Sequence, residues 1–278
     1  MPDRPGDVYS RLDEIDDPTL RSIADVLELR GRHPRQVEIR EAYLGLLGDL
    51  GGQQVLDLGC GTGVVARELA RRVGPSGRVV GVDPTPTFVE VADELRRDAG
   101  FTNLRFEVGD GRGLRLPSAD FDTVLAVTVL SHLPDRERVL RELRRVARFR
   151  GHVLIVDGDY AANQLAHPDR TLTDRIVAAW LETTVDDPYL CRRLVPMVRA
   201  AGLEVVEVRG HVHAEAGQVD EASSYIWQWS LFAARQALSA GAISDAEAEA
   251  WLDKLGELNV TGQLFGSVNY VSVLARRP

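Results

Sequence analysis

Apolar positions along this chain switch repeatedly between two rhythms. Short, nearly continuous apolar runs at residues 55–58, 79–83, 104–110, 121–132 and 151–157 predict buried strands. Between them, as at 64–73 and 141–150, apolar residues recur every three or four positions, the mark of an amphipathic helix. The pattern continues with a helix expected over 188–201, a strand at 203–209 and a last strand at 268–275. Strands alternating with helices predict an α/β fold, a mostly parallel sheet with helices on both faces. Right-handed crossovers then gather ligands at the carboxyl ends of the strands.

Three stretches fall outside that alternation. Residues 17–50 read as two amphipathic helices broken at Gly31-Arg-His-Pro34. A long connection runs from 158 to 184. The largest addition, 215–265, separates the last two strands; its helical period puts Tyr225, Trp229 and Phe232 on one face, and Ser244-Asp245 starts a second helix. The expected organisation is a helical lid (1–50), a binding core (51–214), a helical insertion covering the acceptor side (215–265) and the last core strand (266–278).

Chemistry concentrates where the first strand meets the first core helix. Asp57-Leu-Gly-Cys-Gly-Thr-Gly63 is a sharp, glycine-rich turn that lets backbone approach a ligand and aims a helix N-terminus at it. It departs from the dinucleotide fingerprint, because Val64 stands where the third glycine belongs, and no Gly-Lys-Ser/Thr follows as a phosphate loop requires. Asp57 would repel a pyrophosphate but suits a cationic amino group. These features favour a small zwitterionic nucleoside.

The motif, followed by Asp83 and Asp110 at the ends of the next two strands, resembles the class I S-adenosylmethionine-dependent methyltransferases, over about 51–159 and more loosely over the last strand. The resemblance implies a Rossmann-like seven-stranded sheet whose last strand lies antiparallel beside the fifth. It further implies S-adenosyl-L-methionine as cofactor. Gly59, Gly61 and Gly63 would border its methionine portion, and Asp57 with the carbonyls of Val127 and Thr128 its amino group. Asp83, followed by Pro84, would take the ribose hydroxyls, and Asp110 with Gly111 the adenine. In many small-molecule relatives a helix corresponding to that after Arg35-Gln36 folds over the cofactor.

His132, after the fourth strand, is the candidate general base, weighed equally against a helix-capping or packing role. Asp159, Tyr160, Tyr225 and Trp229 are candidate acceptor contacts. Asp157 also ends the fifth strand on that side. Trp251 and one of Trp227 or Trp229 are expected to be ordinary core. His211 and His213 share a strand face but lack the Asp, Glu or His company of a metal site, so no metal is expected.

Bulk properties bound the partners. A net charge of -9 and a pI near 5.2 disfavour nucleic acid. Two cysteines are too few for a disulfide framework. No apolar run is long enough to cross a bilayer and the N-terminus carries no signal pattern, so a cytoplasmic address is expected. The expected function is methylation of a small organic molecule, in quinone or secondary-metabolite biosynthesis such as antibiotic assembly; a homo-oligomer is possible. The rivals are a cofactor-binding enzyme that transfers no methyl group, such as a cyclase; a NAD(P)-dependent oxidoreductase; and a non-enzymatic binding module.

Overall fold

The computed structural model describes residue 12 and residues 14–278; the remainder of the proposed 1–50 segment lies outside the described residues. Among the described residues the first two α-helices are α1 (Asp17–Arg32) and α2 (Pro34–Leu44), broken at His33 as the Gly-Arg-His-Pro sequence predicts. Pro34 stands at the first position of α2, where its missing N–H costs nothing. The core follows as β1 (Gln54–Leu58), α3 (Val64–Val73), β2 (Arg78–Asp83), α4 (Pro86–Asp98), β3 (Leu104–Val108), β4 (Phe121–Val127), α5 (Arg136–Val146) and β5 (Ala147–Gly158). Then come β6 (Gln164–Leu165), α6 (Arg170–Thr184), α7 (Leu194–Ala200), β7 (Glu204–Gly217), α8 (Tyr225–Ser239), α9 (Asp245–Val260) and β8 (Leu264–Arg276).

The sheet order is β3-β2-β1-β4-β5-β8, with β7 along the far edge of β8. Strands β1 to β5 are parallel where they pair, and β8 runs antiparallel to β5, as the resemblance implies. The two-residue β6 adds an eighth strand, pairing with β8 above the end of β5. Strand order reverses between β1 and β4, which opens a crevice at their carboxyl ends.

Alternation along the strands feeds two cores. Val55, Leu125, Leu154 and Leu274 face α2, α3, α6, α8 and α9; Leu56, Val124, Val153 and Val273 face α5 and α7. Asp57 shares the face of Val55 and is buried there, 1% exposed. A carboxylate inside an apolar layer needs a reason.

Several expected boundaries shift. Residues 147–150 belong to β5 rather than to the preceding helix. The helix expected over 188–201 is instead a 3-10 turn at Leu190–Arg192 followed by the short α7. Pro196 explains this: it fits the first turn of a helix begun at Leu194, whereas a helix begun at 188 would bury it in the interior. Phe232 does not join Trp229 inside; it is 40% exposed, while Trp227, Trp229 and Trp251 are all buried. The Ser244 start is as expected, a capping box with Glu247. Among the described residues, no helix is long and apolar enough to cross a membrane.

Candidate functional site at the carboxyl ends of the strands

Beyond Leu58 the chain turns through Gly59, Gly61 and Gly63, all with positive φ. Two of them are also sterically fixed: a Cβ on Gly59 would lie 2.3 Å from Val129 Cγ2, and one on Gly63 2.5 Å from Phe106 Cζ. The turn is tied to β2. Val82 O accepts from the amides of Gly59 and Cys60 at 2.7 and 3.1 Å, and the Gly61 amide donates to Asp83 Oδ2 at 2.9 Å. The Thr85 amide donates to Asp83 Oδ1, also at 2.9 Å. The turn therefore presents a closely approachable backbone rather than a row of uncommitted donors.

Asp57 Oδ2 is buried with no hydrogen-bond partner among the described residues. Burial, then the charge of Asp83, push the Asp57 carboxyl up to about 7. Asp83 is raised as well, by burial, against the amides of Thr85 and Gly61 that favour its ionised form. Two buried acids beside one turn, one with an orphaned oxygen, are costly alone. A cation placed against them would relieve that cost, and an ammonium attached to a nucleoside fits both the charge and the bare backbone.

The remaining predicted cofactor residues are less uniform. Thr128, just after β4, has φ 53, a left-handed conformation unfavourable for a β-branched residue, and its amide donates to Val156 O at 2.7 Å. Val127 ends β4 beside it. Gly111 packs at the end of β1, where a Cβ would meet Leu58 Cδ2 at 3.0 Å. The Asp110 carboxylate is held by Arg112 through two short contacts, with its side chain 46% exposed, and Arg112 lowers its pKa. Pro84 follows Asp83 and is exposed.

Helix α1 lies across these loops. A Cβ on Gly61 would touch Leu27 at 3.6 Å. Glu28 accepts from Thr62 Oγ1 at 2.7 Å and from Arg67 at 2.8 Å, and Asp17 accepts from Thr87 Oγ1 at 2.7 Å. Leu20 and Ala24 pack on Phe88. None of these contacts was legible beforehand, because they join segments by surface fit rather than by a motif.

The residues expected to contact an acceptor gather around β4, β5, β8 and the added helices. His132 ends a 3-10 turn, Leu130–His132, and its Nε2 lies 3.4 Å from Tyr160 Oη. The loop carrying it is anchored by Asp157, which accepts from Ser131 N and Oγ at 3.1 and 2.6 Å and from Gly158 N at 2.9 Å. Asp157 itself is fully buried. Asp159 differs: its Oδ1 is buried with no partner among the described residues. The Tyr160 ring packs on Trp180, which meets Trp229 edge-on at 5.3 Å, and both indole N–H groups are buried without acceptors among the described residues. Burial, then Asp157, push the Tyr160 hydroxyl up. Sequence reasoning missed Tyr270 at this site. Its hydroxyl accepts from Arg30 at 3.3 Å and from Gln36 at 3.2 Å, and lies 3.5 Å from Tyr225 Oη. The shallow surface depressions beside β6, lined by Leu165, His167 and Arg170, contain none of these groups.

One expectation is corrected. His213 does have company, because Glu215 on its own strand and His33 between α1 and α2 converge on it. The strand expected over 203–209 continues to Gly217, which brings both side chains to one face, and the helix break delivers His33 from a distant part of the chain.

Comparison with known proteins agrees with this fold. The methyltransferase-domain family model matches residues 50–190, and the chain belongs to that family. A demethylmenaquinone methyltransferase from Lactococcus lactis is 28% identical over 179 residues, 59% of this chain and 71% of that protein. The chain spans 63%, 42% and 38% of the length of three other curated relatives it matches. A SAM-dependent methyltransferase from Aquifex aeolicus shares the fold at a TM-score of 0.53 and 18% identity, covering 92% of this chain and 98% of the other. The [4+2]-cyclase SpnF does so at 0.53 and 21%, covering 88% and 80%.

Proposed function

We propose that the protein transfers the methyl group of S-adenosylmethionine to a small organic acceptor. The observation that carries this reading is the buried, partnerless oxygen of Asp57 beside Asp83 and a sterically closed glycine turn, in a chain of the methyltransferase-domain family. Bound cofactor supplies a methyl group made electrophilic by the positive sulfur that carries it.

The chain's residues hold, align and dehydrate. Gly59, Gly61 and Gly63 border the methionine portion. Asp57 and the carbonyls of Val127 and Thr128 receive its ammonium. Asp83 accepts from the ribose hydroxyls with lone pairs its two amide contacts leave over, and Gly111 with Asp110 borders the adenine. On the other side, Asp159, Tyr160, Tyr225 and Trp229 contact the acceptor, and His132 takes the proton that the acceptor loses. Helix α1 serves as a lid that keeps water away. A quinone-like or secondary-metabolite acceptor is favoured by the aromatic wall and by the demethylmenaquinone relative.

Calorimetry with S-adenosylhomocysteine, followed by turnover on a panel of phenols, quinols and amines, tests the reading. One-site binding that Asp83→Ala weakens, with equimolar methylated product and S-adenosylhomocysteine, is the expected result. Absence of binding by the intact chain removes the proposal. Acceptor converted without release of S-adenosylhomocysteine would favour a non-methylating enzyme on the same fold.

A further inference from the structure

The cluster that the sequence did not foresee lies outside the proposed cofactor crevice. His213 Nε2 sits 2.7 Å from Glu215 Oε1, His33 Nε2 sits 3.9 Å from the same oxygen, and the two imidazole centroids are 5.2 Å apart. One ligand atom from each of the three residues falls within a common span of 4.8 Å. We propose that His33, His213 and Glu215 form a binding site for a divalent transition-metal ion of borderline softness, with zinc as its representative.

The donor set selects the ion class. Two imidazoles and one carboxylate suit zinc, cobalt, nickel or ferrous iron, whereas calcium and magnesium require mostly oxygen donors. Preorganisation favours the site too. Glu215 is clamped at the start of α8 by Ser224 Oγ and by the amides of Tyr225 and Ile226, at 3.1 and 3.3 Å. The His213 side chain is wholly buried and its Nδ1 has no partner among the described residues. His33 Nδ1 accepts a long contact of 3.3 Å from the Arg35 amide, which coordination through Nε2 would exchange for a metal–nitrogen bond.

Placement gives the ion a task. His33 is the joint between α1 and α2, whereas His213 and Glu215 belong to β7, so one ion would pin the helical cover to the sheet. Tyr225 packs against both imidazoles and touches Tyr270 on the acceptor side. Three protein ligands leave a further coordination position. The site stands independently of the methyl-transfer reading.

The test uses the full chain, free of any histidine tag and stripped with a chelator. Zinc is titrated in competition with a chromophoric chelator, and cobalt is titrated separately for its visible spectrum. One ion per chain is expected, with a tetrahedral or five-coordinate cobalt spectrum and a raised melting temperature. His33→Gln, at the partly exposed joint, should lower zinc affinity by more than the roughly 10- to 100-fold that losing an outer-shell partner costs, and His213→Gln at least as much. Should the buried His213→Gln fail to fold, His33→Gln decides alone. Stripped protein that takes up no zinc, or a His33→Gln chain that binds it as tightly as the parent, overturns the proposal.

Discussion

The crevice above β1 and β2 and the aromatic cluster above β5 and β8 are built by opposite means. The crevice is mostly backbone: a seven-residue motif, two buried carboxylates and two glycines, Gly59 and Gly63, that neighbouring side chains have closed to a β-carbon. The aromatic cluster is mostly side chain, gathering His132, Tyr160, Trp180, Trp229 and Tyr270 with Arg30 and Gln36 from opposite ends of the sequence. A backbone site fits one ligand shape and tolerates little change. A side-chain site can be rebuilt residue by residue, which suits an enzyme fold whose cofactor is constant and whose acceptor varies.

The largest expected effect breaks chemistry without breaking either region. His132→Gln should lower kcat by about 100- to 10,000-fold if the imidazole takes the acceptor's proton, with S-adenosylhomocysteine affinity unchanged in calorimetry. Undiminished turnover would return His132 to the packing role that its sequence position equally allows. Next comes the backbone. Gly59→Ala forces a β-carbon against Val129 at a φ of 68, and should cost about 2–5 kcal/mol in urea unfolding. The control is Gly210→Ala, on β7, where a β-carbon meets nothing within 4 Å and little change is expected.

The carboxylates give the crevice a pH signature. Asp57 is raised from 3.8 to about 7, and Asp83 is raised too, so the folded chain keeps protons that the unfolded chain has lost. Stability of the free protein is therefore greatest below about 4 as far as these groups decide it, and falls as pH rises through about 7. An ammonium reverses the preference, because it favours ionised Asp57. Affinity for S-adenosylhomocysteine should then rise between about pH 6 and pH 8, with proton release visible as a buffer-dependent binding enthalpy. Asp57→Asn should flatten that dependence and weaken binding about 10- to 100-fold, from a lost charged hydrogen bond of about 1.5–3 kcal/mol. A pH-independent affinity in the parent would separate Asp57 from the ammonium.

The same contrast explains what the sequence disclosed. Strands β1 to β5, the glycine turn and the aspartates at strand ends were legible because each is a local pattern: period, turn chemistry, a charged residue closing an apolar run. Lost were features that exist only across the fold. Leu27 over Gly61, Gln36 on Tyr270 and His33 on Glu215 leave no trace in spacing, since each pairs residues 34 to 234 positions apart or more loosely by surface fit. Phe232 shows the reverse error. Its helical period matched that of Trp229, yet α8 turns that edge outward, because period gives a face and not the element it meets.

The smallest effect separates the two regions most cleanly. Tyr270→Phe keeps the ring in the core beside β5 and removes only the hydroxyl, which accepts from Arg30 and Gln36. Gln36 is buried, so its amide loses an acceptor that water replaces poorly, and a stability loss of about 1 kcal/mol is expected. None of the groups bordering the glycine turn touches that hydroxyl, so cofactor affinity should hold constant. The acceptor's KM should rise by about 3- to 10-fold, because Arg30 and Tyr225 lose the atom that fixes them relative to Tyr160, and about 1 kcal/mol corresponds to that range. If the variant instead weakened S-adenosylhomocysteine and left KM alone, the hydroxyl would belong to the crevice. The division between a backbone-built cofactor site and a side-chain-built acceptor site would then have to be redrawn through the helical cover.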